Sequence, residues 1–477
     1  MSFLPPSAHR YSKWRLAAFA LAVVALLAAA GWYLLFRTVV QRYASDAEQF
    51  KYGSVGVEAA SGLPFRIWSV LPEVFADLVG GPGGYLAFGF LAEDGHAAPV
   101  GLPVETVGFP RIGLNCGLCH IGSVRASASA PRQLVIGAPN ATLDAQRYFR
   151  FLFACAADAR FTPEVLIPAM ERAAPLGAVE RLLMRYLIIP QTRAALLEQR
   201  RQLWWMDTVP DWGPGRVDPF NPAKVQLVHL PWDGTIGAAR MVPLWNWRMR
   251  KDFGLHRDGL NTSLTEIFLN SGIGNGASNA TIDRDGLERL QRWVLDLPSP
   301  LYPFPIDPVL AARGEPVWKA QCAECHAFGG ARTGQPIPQA MVGTDRHRLD
   351  SWTEQARDGF NGLTGYDWRY TYFRKTAGYV AQALDGAWAR APYLHNGSVP
   401  NMAALLSEPA KRPVRFRVGI DIYDQDRLGF VSDGPEAADT GRPFDTTLPG
   451  NSNAGHRFGV DLTEEEKRAL IEYLKTL

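Results

Sequence analysis

Two copies of the pentapeptide Cys-x-x-Cys-His constrain this chain more than any other feature. The first runs from Cys116 through Cys119 to His120, and the second from Cys322 through Cys325 to His326. Together they use four of the five cysteines among 477 residues, which excludes a fold built on disulfide bonds. Cysteines three apart on a helical turn face the same side, where both can react with one flat cofactor.

This spacing is the attachment signature of a c-type haem, so the sequence predicts two covalently bound c-type haems and their iron. In each motif the two thiols add to the haem vinyl groups and the histidine becomes an axial ligand of the iron. The alternative, structural zinc, would need two further ligands near each cysteine pair. The fifth cysteine, Cys155, lies among Phe151, Leu152 and Phe153, which predicts a buried and inert thiol.

The sixth ligand decides whether each iron transfers electrons or does chemistry, because a six-coordinate iron has no position for dioxygen or peroxide. For the second haem the sequence favours His456, in a loop rich in Gly and Asn where the backbone can approach the ring closely. His395 is the second choice, and Met341 and Met402 would suit a high-potential cytochrome.

No histidine stands out as sixth ligand of the first haem, which suggests an open position. His256, beside Arg257 and Asp258, is interpreted as a structural hydrogen-bonding residue. Arg216 and Asp218 would either hold haem propionates or pair with each other.

The N-terminal segment predicts a membrane anchor. Residues 16–36 carry no charge and follow three basic residues, and 21 helical residues are roughly 31 Å long, enough to cross a bilayer. The basic residues place a tail, 1–15, in the cytoplasm and the body in the periplasm, as in a single-pass protein of the bacterial inner membrane. The alternative is a signal peptide cleaved near Ala28–Ala30, but Trp32 and Tyr33 extend the apolar run and suit a membrane interface.

Composition indicates a large globular body. Hydrophobic residues make up 47% of the chain, and a net charge of +2 argues against a nucleic-acid-binding protein. The 45 glycines and 35 prolines indicate many turns, so the predicted fold is mainly α with extensive irregular loops.

Helical patterns and prolines predict the organisation of the body. Helices are expected from a cap at Thr142 to about Ala157, over 177–189 until Pro190 ends it, over 285–295, and before the second motif at 313–321. A last helix begins at Thr463, where Glu466 completes a capping box, and buries Leu470, Ile471 and Leu474. The proline-rich stretch 298–308 separates a predicted N-terminal haem domain, 45–297, from a C-terminal cytochrome c-like haem domain, 309–477.

Several motifs together resemble the rubber-oxygenase-like branch of the dihaem cytochrome c peroxidase superfamily, over roughly residues 55–477. They are the segments 114–120, 213–218, 255–259, 391–400 and 455–456. The resemblance implies two haem lobes, an oxygen-reactive N-terminal haem with His120 as its only protein ligand, and a C-terminal haem held by His326 and His456. It also implies substrates with carbon–carbon double bonds, either polyisoprene or unsaturated fatty acids. A shorter C-terminal lobe and the uncleaved anchor argue against rubber itself.

In that family aromatic residues shape the oxygen side of the first haem. The matching stretch, 230–247, contains Trp232, Trp245 and Trp247, which are the predicted catalytic residues, and the 177–189 helix is a candidate for the same pocket. The alternative is that these tryptophans only fill the core.

The expected function is therefore a dioxygenase acting on an unsaturated hydrophobic substrate, with the second haem as electron relay to a periplasmic or membrane redox partner. Two alternatives stay open. A dihaem peroxidase reducing hydrogen peroxide would need a distal His, Glu or Gln over the first iron. An electron carrier without enzymatic activity would have two six-coordinate irons.

Overall fold

The computed structural model describes residues 8–477, so residues 1–7 of the predicted tail lie outside it. A helix spans Ala8–Phe36, and its segment Lys13–Tyr33 is long and apolar enough to cross a membrane by length and composition. None of that segment is buried against the body. One residue later the strand Thr38–Val39 pairs antiparallel with Val104–Val107. The apolar helix is thus joined directly to a sheet of the body.

About 45% of the residues are helical, and the rest form short strands and irregular segments. The predicted mainly α character with many loops is confirmed at this level. The helices of the N-terminal half are Asp46–Tyr52, Val57–Ala60, Phe65–Val74, Ala76–Val79, Cys116–His120, Ala145–Ala157, Pro163–Ala173, Ala178–Leu183, Ile189–Gln202, Asn221–Gln226, Leu264–Gly274 and Arg284–Asp296. Those of the C-terminal half are Pro308–Gln321, Ala323–His326, Gln339–Val342, His347–Ser351, Glu354–Asn361, Met402–Leu405, Gly434–Thr440 and Glu464–Leu474.

Within residues 8–477 the strands form one four-stranded sheet and five two-stranded pairs. The larger sheet has the order Thr38–Val39, Val104–Val107, Phe109–Ile112, Leu63–Pro64. The antiparallel pairs are Ile121–Val124 with Gln133–Ile136, Arg216–Val217 with Ala239–Arg240, Pro336–Pro338 with Gly378–Val380, Arg415–Val418 with Arg442–Asp445, and Tyr423–Asp424 with Gly429–Phe430. The pairs that begin at Ile121 and Tyr423 are local hairpins, and the other three connect segments that lie further apart in the sequence.

Two predicted helix limits are wrong. Thr142 is not a cap, because its hydroxyl donates to the Gly89 carbonyl, and Asp144 caps Ala145–Ala157 instead. Pro190 does not end its helix: a π-helical turn, Met184–Ile188, precedes it and the helix continues over Ile189–Gln202. A π-turn shifts the hydrogen-bonding register, so a new first turn follows it. Proline is tolerated in a first turn because its missing N–H is not needed there and its ring meets no preceding carbonyl.

Other local predictions are confirmed. The 285–295 helix is Arg284–Asp296, and Pro308–Gln321 precedes the second motif with Trp318 buried. Thr463 and Glu466 form the capping box of Glu464–Leu474, whose buried face includes Leu470, Ile471 and Leu474. Residues 298–307 form no helix.

One hydrophobic cluster extends across the proline-rich stretch. It includes Val124 and Trp245 from the N-terminal half with Trp318, Trp388 and Leu470 from the C-terminal half. Polar contacts also connect the two halves. Asp421 of the C-terminal half forms ion pairs with Arg125 and Arg132 and accepts a hydrogen bond from Ser123. The two halves therefore share part of their core.

Candidate functional site

The first Cys-x-x-Cys-His motif is a five-residue helix, Cys116–His120, capped by Asn115. The Asn115 side chain accepts from Gly117 N at 2.8 Å and donates to the Gly53 carbonyl at 2.9 Å, which ties the motif to the preceding chain. His120 Nδ1 lies 2.9 Å from the carbonyl oxygen of Val242. Because a carbonyl only accepts, Nδ1 carries the proton and Nε2 keeps its lone pair. Burial lowers the pKa of His120 to about 4, so the ring is neutral at physiological pH.

The second motif repeats this arrangement. His326 ends the helix Ala323–His326, and its Nδ1 donates to the Gln382 carbonyl at 2.7 Å. Burial lowers the pKa of His326 as well. A histidine that donates one ring N–H to a backbone carbonyl is oriented to bind a metal through the other nitrogen. Both motif histidines thus have the geometry of metal ligands.

His456 faces His326. Their ring centroids are 6.2 Å apart, and burial lowers the pKa of His456 to about 3, with smaller contributions from His326 and Arg412. Metal–imidazole bonds are about 2.0–2.1 Å long, so two rings on opposite sides of one ion have centroids about 6.3 Å apart. The measured spacing therefore fits one metal ion held between the two imidazoles.

The loop that carries His456 depends on Gly455. A Cβ at Gly455, whose φ is 77°, would lie 2.3 Å from the carbonyl carbon of Gly343. The close approach lets His456 N donate to the Val342 carbonyl at 2.7 Å. Arg412 also donates to the carbonyls of Gly455 and His456. The glycine-rich loop thus allows a backbone–backbone approach that fixes His456 opposite His326.

The thiols of the motifs are kept neutral by burial. It raises the pKa of Cys116 to about 11, that of Cys119 to about 12 and that of Cys322 to about 12. Within residues 8–477 no three His, Cys, Asp or Glu side chains form a group that could hold a metal ion. Cys155 is fully buried, as predicted, and burial raises its pKa.

A group of buried arginines lies close to the histidines. Its members are Arg216, Arg240, Arg250, Arg348, Arg390 and Arg412. Arg240 Nε and Nη1, Arg348 Nε and Arg250 Nη1 have no hydrogen-bond partner in the described chain. Burial, with a contribution from Arg216, lowers the pKa of Arg240 to about 9. Arg348 pairs with Asp258, and Arg250 and Arg390 pair with Asp385, whereas Arg240 has no carboxylate partner in the described chain. A buried cation is costly unless an anion pairs with it, so Arg240 fits a ligand with carboxylates, such as the two propionates of a haem.

Arg240 connects the motifs that the sequence singled out. Its N–H donates to the His395 carbonyl at 2.8 Å and its Nη2 to the Ala391 carbonyl at 2.6 Å. A Cβ at Gly215 would lie 2.5 Å from its Nη1, and one at Gly397 would lie 2.9 Å from its side-chain carbons. The glycines of the 213–218 and 391–400 motifs thus leave the space that the Arg240 side chain fills.

Arg216 and Asp218 do not pair with each other. Arg216 donates to Asn451 Oδ1 at 2.6 Å, whereas Asp218 accepts from the backbone N–H groups of Phe220 and Asn221. Arg216 therefore belongs to the polar network near the His456 loop, and Asp218 stabilises the turn before a helix.

The other candidate ligands lie elsewhere. His395 is buried and stacks on Tyr379 with centroids 3.9 Å apart, and its Nε2 has no partner within the described residues. Met402 is buried in the core, and Met341 is exposed. Burial, with contributions from Arg348 and His120, lowers the pKa of His256 to about 3, which places a neutral imidazole near His120.

The three predicted catalytic tryptophans lie in three different hydrophobic clusters. Trp247 packs in the cluster of Cys116, Trp245 in the cluster shared by the two halves, and Trp232 against Trp205 with ring centroids 5.1 Å apart. The structure brings only Trp247 into the cluster of the first motif.

A cavity of about 220 Å³ opens beside the cluster of Trp205 and Trp232. Its lining residues are Arg150, Phe153, Ala154, Arg200, Leu203, Met206 and Asp207. It lies between the Ala145–Ala157 helix and the end of Ile189–Gln202. Neither Trp245 nor Trp247 lines it.

The sequence reasoning missed most of the arginine group. It named Arg216, and Arg240 as one of the ionisable groups near the 230–247 stretch, but not Arg348 or Arg390. Arginines are mostly exposed in proteins, so a single sequence carries no pattern that marks a buried one. The glycines at 215 and 397 are the local signal that could have pointed to Arg240.

Comparison with a family model places a cytochrome c-like signature in the C-terminal half. Residues 378–417 match the model described as RoxA-like, cytochrome c-like. The matched segment contains Gln382, whose carbonyl receives His326 Nδ1, together with Arg390 and His395. It supports a haem-containing oxidoreductase related to the rubber-oxygenase-like proteins at a coarse level.

Two proteins of Sinorhizobium fredii are similar to parts of the chain. The uncharacterized protein y4iM is 33% identical over 227 residues, which cover 38% of this chain and 51% of that protein. The uncharacterized protein y4iJ is 50% identical over 108 residues, covering 21% of this chain and 18% of that protein. The chain thus spans about half the length of one relative and about a fifth of the other.

Proposed function

We propose that this chain is a membrane-anchored dihaem c-type oxidoreductase. In this proposal it oxygenates an unsaturated hydrophobic substrate at the His120 site, and the His326–His456 site relays electrons. The observation that carries the proposal is the asymmetry between two otherwise similar histidines. His326 faces His456 at 6.2 Å, whereas no other ring in residues 8–477 is stacked on or opposed to His120 in this way. One saturated and one open site suit a relay and a reaction centre.

When bound, a haem supplies an iron that activates dioxygen if one axial position is open. The chain's own residues do the rest. The Val242 carbonyl holds His120 in the tautomer that leaves Nε2 for the iron, and Cys116 and Cys119 would attach the macrocycle. Arg240 and Arg348 would pair with its propionates through nitrogens that have no other partner in the described chain.

Water exclusion at the first site is assigned to Trp247. It is 8% exposed and belongs to the hydrophobic cluster that contains Cys116, Ile121 and Leu244. An apolar wall beside the reacting centre prevents side reactions with water and favours an apolar substrate. Trp232, which lies with Trp205 beside the separate cavity, would have no part in the reaction.

The second candidate function is a dihaem peroxidase. It is favoured by the neutral imidazole of His256 near His120, since a neutral histidine can accept and return a proton during peroxide cleavage. The adjacent Arg257 contacts the carbonyls of Arg240 and Met241, next to the Val242 carbonyl that holds His120 Nδ1.

The test is dioxygen uptake by the haem-loaded full chain in detergent, with an unsaturated fatty acid or a polyisoprene oligomer and no peroxide or reductant. With labelled dioxygen, mass spectrometry should find both labelled atoms in the product, and Trp247→Ala should reduce the rate at least about tenfold whereas Trp232→Ala leaves it unchanged. Consumption of hydrogen peroxide with a reduced donor, lost in His256→Ala, would establish the peroxidase. No uptake, with ferrous protein that does not bind carbon monoxide, would leave an electron carrier.

A further inference from the structure

Two short backbone segments hold the histidines of the two motifs. In the segment 240–242, the Val242 carbonyl accepts His120 Nδ1–H at 2.9 Å. In the segment 380–382, the Gln382 carbonyl accepts His326 Nδ1–H at 2.7 Å. The position of each carbonyl sets the strength of the hydrogen bond to its histidine.

Arg257 contacts both segments. Its Nη2 donates to the Met241 carbonyl at 2.5 Å and its Nε to the Arg240 carbonyl at 3.3 Å. Its own carbonyl accepts the N–H of Val380 at 2.8 Å. A series of hydrogen bonds and short backbone steps therefore runs from His120 to His326 through this one residue.

The surroundings of Arg257 indicate that these backbone contacts are its purpose. The charged side chains that act on Arg257 are three other arginines, Arg240, Arg348 and Arg390. Arg257 forms no ion pair with a carboxylate in the described chain. The turn that carries it is fixed on both sides by left-handed residues, His256 with φ 64° and Gly259 with φ 67°. An arginine bonded to two carbonyls holds those carbonyls in place, because hydrogen bonds from a charged donor are short and strong.

We propose that Arg257 is a positioning residue that couples the two histidine sites. The inference rests on the proposed function, because it takes both histidines as haem ligands. A hydrogen bond at Nδ1 makes the imidazole a stronger ligand and so lowers the reduction potential of the metal it binds. Because Arg257 holds the segments of both accepting carbonyls, a change in its side chain shifts both potentials in the same direction.

The experiment is a spectroelectrochemical titration of the full, haem-loaded chain, with Arg257→Lys as the variant. Lysine keeps the charge but cannot donate to two carbonyls from a planar group. We expect both midpoints to rise, that of the His120 haem by at least about 59 mV, which is a tenfold change in a one-electron equilibrium. The His326 midpoint should rise less, because only the Arg257 backbone contacts that segment.

The matched control is Arg147→Lys. Arg147 also donates to backbone carbonyls, at 2.8 Å to Ala87, but contacts neither segment. Its variant should keep both midpoints, whatever it does to stability. An Arg257→Gln variant loses the charge but keeps a side-chain donor. It should also shift the midpoints of both haems, not that of one haem alone.

Unchanged midpoints in loaded Arg257→Lys, or a shift of one haem alone, would overturn the coupling and leave the dihaem proposal intact. Loss of haem from both Arg257 variants, with Arg147→Lys fully loaded, would also overturn it, since Arg257 would then be required for folding only. A wild-type chain with fewer than two haems by pyridine haemochrome would instead refute the proposed function.

Discussion

The imidazoles of His326 and His456 lie 6.2 Å apart across a gap that one metal ion would fill. The first sits in a motif helix, and the second is held in a loop by Val342 and Arg412. If a haem is bound here as proposed, replacing His456 with Ala should free one coordination position without releasing the haem, because Cys322 and Cys325 would hold it.

This change predicts a second binding site for carbon monoxide. Ferrous wild type should bind one molecule per chain, and His456→Ala should bind two, measured by optical difference titration. His347→Ala is the control, because His347 contacts the same loop at Gly450 but does not face His326. A stoichiometry that stays at one in His456→Ala would exclude His456 as the ligand.

Removing the unpaired cation at Arg240 should destabilise the haem-loaded protein. If its free Nε and Nη1 pair with propionates, Arg240→Met leaves those carboxylates buried and alone, at a cost of about 3 kcal/mol in the free energy of unfolding. Arg248→Met, at an exposed pair with Asp296, should cost less than about 1 kcal/mol. Urea denaturation measures both, and equal small losses would show that Arg240 has no anionic partner.

The helix before the second motif packs on the last helix through Gly314. A Cβ at this position would lie 2.0 Å from the Ala469 carbonyl oxygen. Gly314→Ala should therefore cost at least about 2 kcal/mol, because two backbones must separate. Gly177→Ala has open space and a φ of −64°, so we expect a change within about 0.5 kcal/mol. Equal denaturation midpoints for the two variants would contradict this packing.

The buried carboxyl of Glu58 predicts a loss of stability with rising pH. Burial raises its pKa from 4.5 to about 7, so the folded state holds a proton that the unfolded state releases above pH 4.5. The contribution of Glu58 to stability is greatest below pH 4.5 and falls by about 1.4 kcal/mol per pH unit until about pH 7, roughly 3 kcal/mol in all.

Glu58→Gln should remove this pH-dependent contribution. The free energy of unfolding of the variant, relative to that of wild type, should therefore increase between pH 5 and pH 7.5. Glu73→Gln, at an exposed pair with Arg172, is the control and should give no such trend. Parallel stability curves for wild type and Glu58→Gln would show that the carboxyl is ionised in the folded protein.

The intact mass of the protein isolated from membranes distinguishes the anchor from a signal peptide. We expect the complete N-terminal helix to remain, because the apolar segment runs to Tyr33. A mature N-terminus directly after Ala28–Ala30, with the protein in the soluble fraction, would establish cleavage.

Features set by neighbouring residues were predictable from the sequence. The Thr463 and Glu466 capping box and the Arg284–Asp296 helix follow from a few adjacent side chains. Pro190 misled the prediction because the π-turn before it depends on how the helix packs and not on the proline itself.

The arrangement of the tryptophans could not be predicted in the same way. Trp245 and Trp247 are two residues apart, but Asn246 between them has φ 53°, a left-handed conformation that sends the two side chains into different clusters. Arg240 and Arg257 gain their roles from contacts with segments more than a hundred residues away, which no local pattern records.

The proline-rich stretch 298–308 lies on the surface of the protein and contacts the C-terminal half at several points. Trp388 Nε1 donates to the Pro300 carbonyl at 2.9 Å, and Tyr302 packs against Trp388 and Tyr423. Cutting the chain here would expose an aromatic surface on each fragment. Because the two halves also share a hydrophobic cluster, we expect each half produced alone to be less stable than the full chain.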